Sequence, residues 1–203
     1  MHFSWEDSRQ AFADAARWFV STATSVGDRW DQPGLGEWDV RALVGHTSRA
    51  LLTVEAYLDR PAATSEIDSA ADYFRATREL AAGPGVAERG REAGAALGQE
   101  PAHAVAEIAD RVLRLIKAQD GSALVTTVVG GMLLSDYLPT RTFELAVHTT
   151  DLAHALGEPL AVPNSAAAVA LHIVAELAFD GHRAGPLLLA ATGRPGVTGS
   201  SVL

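Results

Sequence analysis

The sequence predicts a mainly all-α protein, an antiparallel bundle of about four long helices with a short C-terminal helix or strand appendage. Three observations predict it. Apolar residues recur at helical spacing along several long stretches, glycine and proline clusters fall between those stretches, and no sequence signature of another fold class is present. There is no phosphate loop, no glycine fingerprint of a dinucleotide-binding fold and no G-x-S-x-G elbow. The chain has 203 residues, 48% of them apolar and 20% charged, which suits a globular fold with a sizeable core. The expected division is a bundle over residues 1–160 and the appendage over 161–203.

The first helix is expected from about Ser4 to Trp30. Ser4 can cap it, and Glu6 and Asp7 suit the positive end of the helix dipole. Phe12, Ala15, Phe19, Ala23 and Val26 form its apolar stripe, and Asp31 to Gly36 is a connection. A second helix runs from about Asp39 to Leu58, with Leu43, Val44, Leu51, Val54 and Leu58 facing inward and Pro61 beyond its end. Ser69 to about Ala82 reads as a helix, and Gly83-Pro84-Gly85 as a break. Glu88 to Gly94 is charged and glycine-rich and is expected to be exposed. Pro101 to about Gln119 is a helix with proline in its first turn and Val105, Ile108, Val112, Leu115 and Ile116 as its stripe.

Ser122 to Val129 is rich in Val and Thr and is expected to be extended, with Gly130-Gly131 as punctuation. Arg141 to Gly157 reads as a helix with Phe143, Val147, Leu152 and Leu156 apolar and Gly157 as C-terminal cap; Pro139 either starts or kinks it. After a linker, Asn164 can cap a last helix to about His182, with Val169, Ile173, Leu177 and Phe179 apolar. A short apolar run follows, and then a glycine-rich end from Pro195 to Leu203.

Composition excludes whole classes of partner. The formal net charge is −9, which argues against nucleic acid and against an anionic membrane surface. The chain has no cysteine, so disulfides, cysteine nucleophiles and thiolate metal sites are ruled out. A thiol taking part in chemistry must come from outside the chain. The N-terminus carries no apolar signal core, and no apolar run approaches the roughly 20 residues of a membrane span. The expected location is cytoplasmic.

Chemistry enters at two stretches. Glu144 and His148 are four apart, so they share one helix face, and Asp151 lies three further on that face. On spacing alone the pair is either an ordinary surface Glu–His contact or part of a divalent-metal site. His46, three after Leu43, points roughly inward and is either a hydrogen-bonded core histidine or a ligand. Bundles build metal sites from facing helices, and a His₂Glu set leaves the open position of a catalytic zinc. Zinc is the first expectation for the metal, with nickel, iron and manganese as alternatives.

These stretches carry a resemblance. Trp38-Asp-Val-Arg-Ala-Leu-Val-Gly-His46 resembles the W-(T/D)-V-R-D-L-x-x-H stretch of the DinB-like superfamily. Arg141-Thr-Phe-Glu-Leu-Ala-Val-His-Thr-Thr-Asp-Leu-Ala-His-Ala-Leu-Gly157 is similar to the matching R-x-x-E-x-x-x-H-x-x-D-L-x-x-A-x-G segment, in the form found in the mycothiol-dependent maleylpyruvate isomerase branch. The resemblance implies a DinB-like four-helix bundle, a divalent metal held by His46, Glu144 and His148, and use of a low-molecular-weight thiol such as mycothiol. Asp151 matches the motif's aspartate. It either orients a ligand, acts as a base, or is a helix-surface carboxylate. Arg141 either pairs with a substrate or thiol carboxylate or makes a structural ion pair.

The expected function is therefore a metal- and thiol-dependent S-transferase or isomerase acting on a small electrophile, with Asp151 and Arg141 as catalytic candidates. A non-catalytic metal-binding protein of stress response and a metal-dependent hydrolase are the alternatives. The isomerases of this branch carry a further C-terminal domain that contributes to the active site. Here residues 158–203 follow the motif helix, so maleylpyruvate is not the expected substrate. A homodimer is compatible with this architecture, since bundles with short appendages often pair, and no residue singles it out.

Overall fold

The computed structural model describes residues 3–81, 83 and 85–194. Among them lie helices α1 (Trp5–Thr24), α2 (Val40–Leu58), α3 (Ala70–Ala81), α4 (Val86–Ala96), α5 (Pro101–Lys117), α6 (Leu134–Leu156), α7 (Asn164–Asp180) and α8 (Ala184–Ala191). Two small antiparallel hairpins complete the described part, β1 (Pro33–Leu35) with β2 (Trp38–Asp39) and β3 (Leu124–Thr127) with β4 (Gly130–Leu133). The mainly helical bundle expected from periodicity is what forms.

The bundle is the closed ring α1–α6–α2–α5. Contacts at the helix ends fix the directions. Trp5 at the start of α1 donates to Gln119 O just past α5, so these two are antiparallel. Arg29, beyond α1, donates to Leu156 O at the end of α6, so α1 and α6 run the same way. Tyr137, early in α6, meets Thr53, late in α2, which makes that pair antiparallel. Arg41 reaches Gly98 O ahead of α5, and Arg111 late in α5 grips Glu55 late in α2, so α2 and α5 run together. One long crossover through α3 and α4 makes this possible by joining the parallel α2 and α5, while the second hairpin joins the antiparallel α5 and α6 at one end of the bundle.

The core follows the helical stripes. Phe12, Phe19, Leu43, Leu51, Leu145 and Leu152 are fully buried, and each such side chain contributes about 1.5–3 kcal/mol of transfer free energy. Ser4 caps α1 in a reciprocal capping box with Asp7, and Asp39 caps α2 by accepting from the Ala42 amide. Gly157 closes α6 in the left-handed conformation, with φ of 69°.

Several expectations are corrected. The first helix stops at Thr24 rather than Trp30, and the connection after it contains the β1–β2 hairpin. The charged residues from Glu88 to Glu92 are exposed as expected, but the stretch to Gly94 is not exposed throughout. It is the middle of α4, and both Gly90 and Gly94 are buried. Its glycines serve close packing: a Cβ on Gly45 would collide with the backbone of Gly94. Leu115 and Phe179 lie on solvent-facing sides, 37% and 67% exposed. Asn164 is the first residue of α7 and makes no capping hydrogen bond. Pro139 lies inside α6, which begins at Leu134. Gly130-Gly131 opens a strand, and Gly131 admits the backbone of Thr64 where a side chain would clash. Part of the expected break at 83–85 and the whole of the glycine-rich end lie outside the described residues.

No described helix is long and apolar enough to cross a membrane.

Candidate metal centre

The α2–α6 contact brings His46, Glu144 and His148 together. One ligand atom from each lies within 4.8 Å of the others. Glu144 and His148 meet as neighbours one turn apart on α6, with His148 Nε2 3.2 Å from Glu144 Oε2. His46 comes from α2 and meets His148 edge to face, with ring centroids 4.8 Å apart. The antiparallel crossing of α2 and α6 sets this juxtaposition, which no local spacing could supply.

Each member has a partner that fixes it. Nδ1 of His148 lies 3.2 Å from Asp151 Oδ2. That leaves Nε2 turned toward Glu144, the carboxylate–histidine arrangement that orients metal-binding imidazoles. Arg141 is buried, 7% exposed, with its guanidinium over the rings of Tyr73 and Tyr137 at 5.2 and 5.0 Å. It donates from Nε to Thr140 and lies 4.0 Å from Glu144. On His46 lies the indole of Trp38, with ring centroids 4.4 Å apart. The indole N–H donates to Ala87 O of α4, so α4 holds the ring that covers His46.

The electrostatics follow from this packing. Burial, aided by the adjacent His148, pushes the His46 imidazole down to about 4. Burial alone would raise the Glu144 carboxyl, but the His148 hydrogen bond and the Arg141 charge outweigh it and hold it at about 2. Burial would likewise lower His148, but its bonds to Asp151 and Glu144 prevail and raise it to about 9. In the metal-free protein the cluster is therefore a neutral imidazole beside an imidazolium–carboxylate pair.

The residues fit a divalent cation. Two imidazoles and a carboxylate form a nitrogen and oxygen donor set of the kind zinc and its neighbours take. Nδ1 of His46 is buried without a hydrogen-bond partner among the described residues, so that ring has unmet capacity. A shallow cavity of about 320 Å³ lined by Thr24, Trp30, Glu100 and His103 lies elsewhere and includes no member of the cluster.

Periodicity and motif together single out His46, Glu144, His148, Asp151 and Arg141, and the structure brings them side by side. The supporting contributions of Tyr73, Tyr137 and α4 are missed. Trp38 stands in the quoted motif, yet nothing in the sequence shows that it stacks on His46. Its spacing of eight from His46 carries no signal, because the β2–α2 junction lies between them.

A family model described as mycothiol maleylpyruvate isomerase N-terminal domain matches residues 9–153. The chain belongs to that family. No curated protein and no solved structure matches it.

Proposed function

We propose that this member of the mycothiol maleylpyruvate isomerase N-terminal domain family binds a divalent metal, zinc first, through His46, Glu144 and His148, and uses a mycothiol-type thiol in an S-transfer or isomerisation on a small electrophile. The observation that carries the reading is the convergence of those three ligands across α2 and α6. When bound, such a metal supplies the positive charge that favours the thiolate form of a coordinated thiol. The absence of cysteine from the chain fits a thiol borrowed from solution.

The chain's own residues have definable tasks. Asp151 holds the proton on His148 Nδ1, so that Nε2 presents its lone pair. Arg141 keeps Glu144 anionic from inside the bundle, and Trp38 fixes the plane of the His46 ring. The engagement of Asp151 with His148 favours an orienting role over that of a free base, which weakens the hydrolase alternative. The burial of Arg141 between two tyrosines supports a positioning role.

The test is metal content by elemental mass spectrometry on protein purified without chelator or nickel resin, beside Glu144→Ala and His148→Ala. Near-stoichiometric metal in the wild type, abolished by either change, supports the site. Titration of the loaded protein with mycothiol then tests the thiol. No metal in any sample after attempted reconstitution overturns the reading.

A further inference from the structure

α7 buries one stripe and leaves another bare. Ala166, Val169, Ile173 and Leu177 face the bundle. The opposite side of the same helix carries Ala168, Leu171, Ala175 and Phe179. Leu171 and Phe179 are 66% and 67% exposed, and the half-buried Ala175 lies between them, one turn from each. α8, which follows, buries none of its eight residues, although all are uncharged and three in a row are leucine. A helix that short is not stable in water by itself. Of the nine large apolar residues exposed among the described residues, five lie between Leu160 and Leu189. Scattered ones need no explanation, but five along one pair of helices form a patch.

A second copy of the chain fits this face. The net charge of −9 makes the charged surfaces of two copies repel each other. Residues 159–179 hold one charged side chain, Glu176, which lies 3.4 Å from His172, and α8 holds none. Asp180, at the end of α7, is met by Arg75 of the same chain. The patch is also self-complementary about its middle. When two α7 helices pack antiparallel across a two-fold axis at Ala175, Leu171 of each copy faces Phe179 of the other. The same operation carries the exposed Leu160, ahead of α7, toward the other copy's α8 with its Leu188 and Leu189. The small side chain of Ala175 at the axis lets the two helices approach closely. With lengths of about 25 and 12 Å and a width of about 10 Å, α7 and α8 offer a footprint of roughly 400 Å² per copy. That belongs to the class of small, concentration-dependent interfaces.

We propose that the outward stripe of α7 and the adjoining α8 pair this chain with a second copy, the two-fold axis passing at Ala175. The pairing is independent of the metal reading.

The experiment is sedimentation equilibrium of the full chain from about 1 to 300 µM, the range in which an interface of this size dissociates. Wild type should dimerise as concentration rises. Leu171→Asp and Phe179→Arg should each weaken pairing about thirtyfold or more. Mixing these two variants should restore it, because the introduced carboxylate of one copy faces the introduced guanidinium of the other. Circular-dichroism melts check that both variants fold. The chain has no cysteine, so Ala175→Cys supplies a single thiol, and on the two-fold axis that thiol faces its own copy. Under mild oxidant it should cross-link to a dimer, whereas Ala118→Cys, exposed at the end of α5, should not. Dissociation by the single variants, rescue by mixing and selective cross-linking together support the pairing. A wild type that stays monomeric across the range overturns it, and partition of that monomer onto vesicles of neutral lipid would name a membrane surface as the occupant instead. A dimer that survives Leu171→Asp overturns it too, as does an Ala175→Cys protein that cross-links no faster than Ala118→Cys.

Discussion

The indole of Trp38 lies on the imidazole of His46 with ring centroids 4.4 Å apart and planes inclined by 34°. The indole N–H is held by Ala87 O, so α4, although it provides no member of the cluster, fixes the ring that covers one. Trp38→Ala should therefore cost metal affinity as well as stability. Partners that orient metal ligands typically matter by about 10–100-fold in affinity, and loss of this half-buried ring should cost about 2 kcal/mol of stability. Trp38→Phe keeps a ring but loses the hydrogen bond, for about 1 kcal/mol. Metal titrations and urea melts on both variants check the pair. Equal metal affinity in Trp38→Ala and wild type would show that the stack does not position His46.

Gly45 and Gly94 let the α2 and α4 backbones touch. Alanine normally stabilises a helix relative to glycine by about 0.5–1 kcal/mol. Here the sign should reverse, because the added carbon meets backbone that no rotamer can move. Gly45→Ala should destabilise by about 3 kcal/mol and also lower metal affinity, since His46 is the next residue. Equilibrium unfolding in urea gives the first result, and elemental analysis gives the second.

The pH dependence of the metal-free protein has two flanks. His148 is raised from 6.5 to about 9, so the stability it contributes is present below 6.5 and is lost as pH rises toward 9. His46 is lowered from 6.5 to about 4, so the unfolded chain takes up its proton first and stability falls as pH drops from 6.5 toward 4. Glu144, lowered from 4.5 to about 2, adds to the acid loss below 4.5. Melting temperature without metal should thus peak near neutrality. Metal must displace the His148 proton but finds His46 already neutral, so binding at pH 7.5 should release about one proton. Calorimetry in buffers of differing ionisation enthalpy reads that number, and a value near zero would contradict the His148 assignment.

Asp151→Asn keeps an acceptor near His148 Nδ1 but removes the charge. Metal affinity should fall about tenfold with the melting temperature of the loaded fold little changed. The imidazole of His148 should titrate lower, which NMR of the metal-free variant can follow. An unchanged titration would mean that Asp151 does not act on His148.

Arg141→Met removes a buried guanidinium from beside Tyr73 and Tyr137 and takes from Glu144 one of its two cationic neighbours. A loss of about 3 kcal/mol is expected, because the change breaks a buried charge arrangement from one side only. Thermal unfolding checks the magnitude. A loss of metal affinity smaller than that from Asp151→Asn would show that Arg141 acts mainly on the fold.

What the sequence determines by itself is what local physics can fix. Helical stripes gave the bundle, because a stripe such as Phe12, Ala15 and Phe19 has only one way to be buried. The caps at Ser4 and Gly157 were legible because each satisfies its backbone within a few residues. Glu144, His148 and Asp151 were legible as one face for the same reason. The tertiary structure alone decided everything that joins distant segments. It placed His46 against His148 by the antiparallel crossing of α2 and α6. It brought the glycines of α4 against Gly45 and Trp38. It also set Arg141 between Tyr73 and Tyr137. Side-chain spacing within one helix is set by its pitch, whereas contact between helices depends on how whole surfaces interlock, and no single stretch of sequence encodes that.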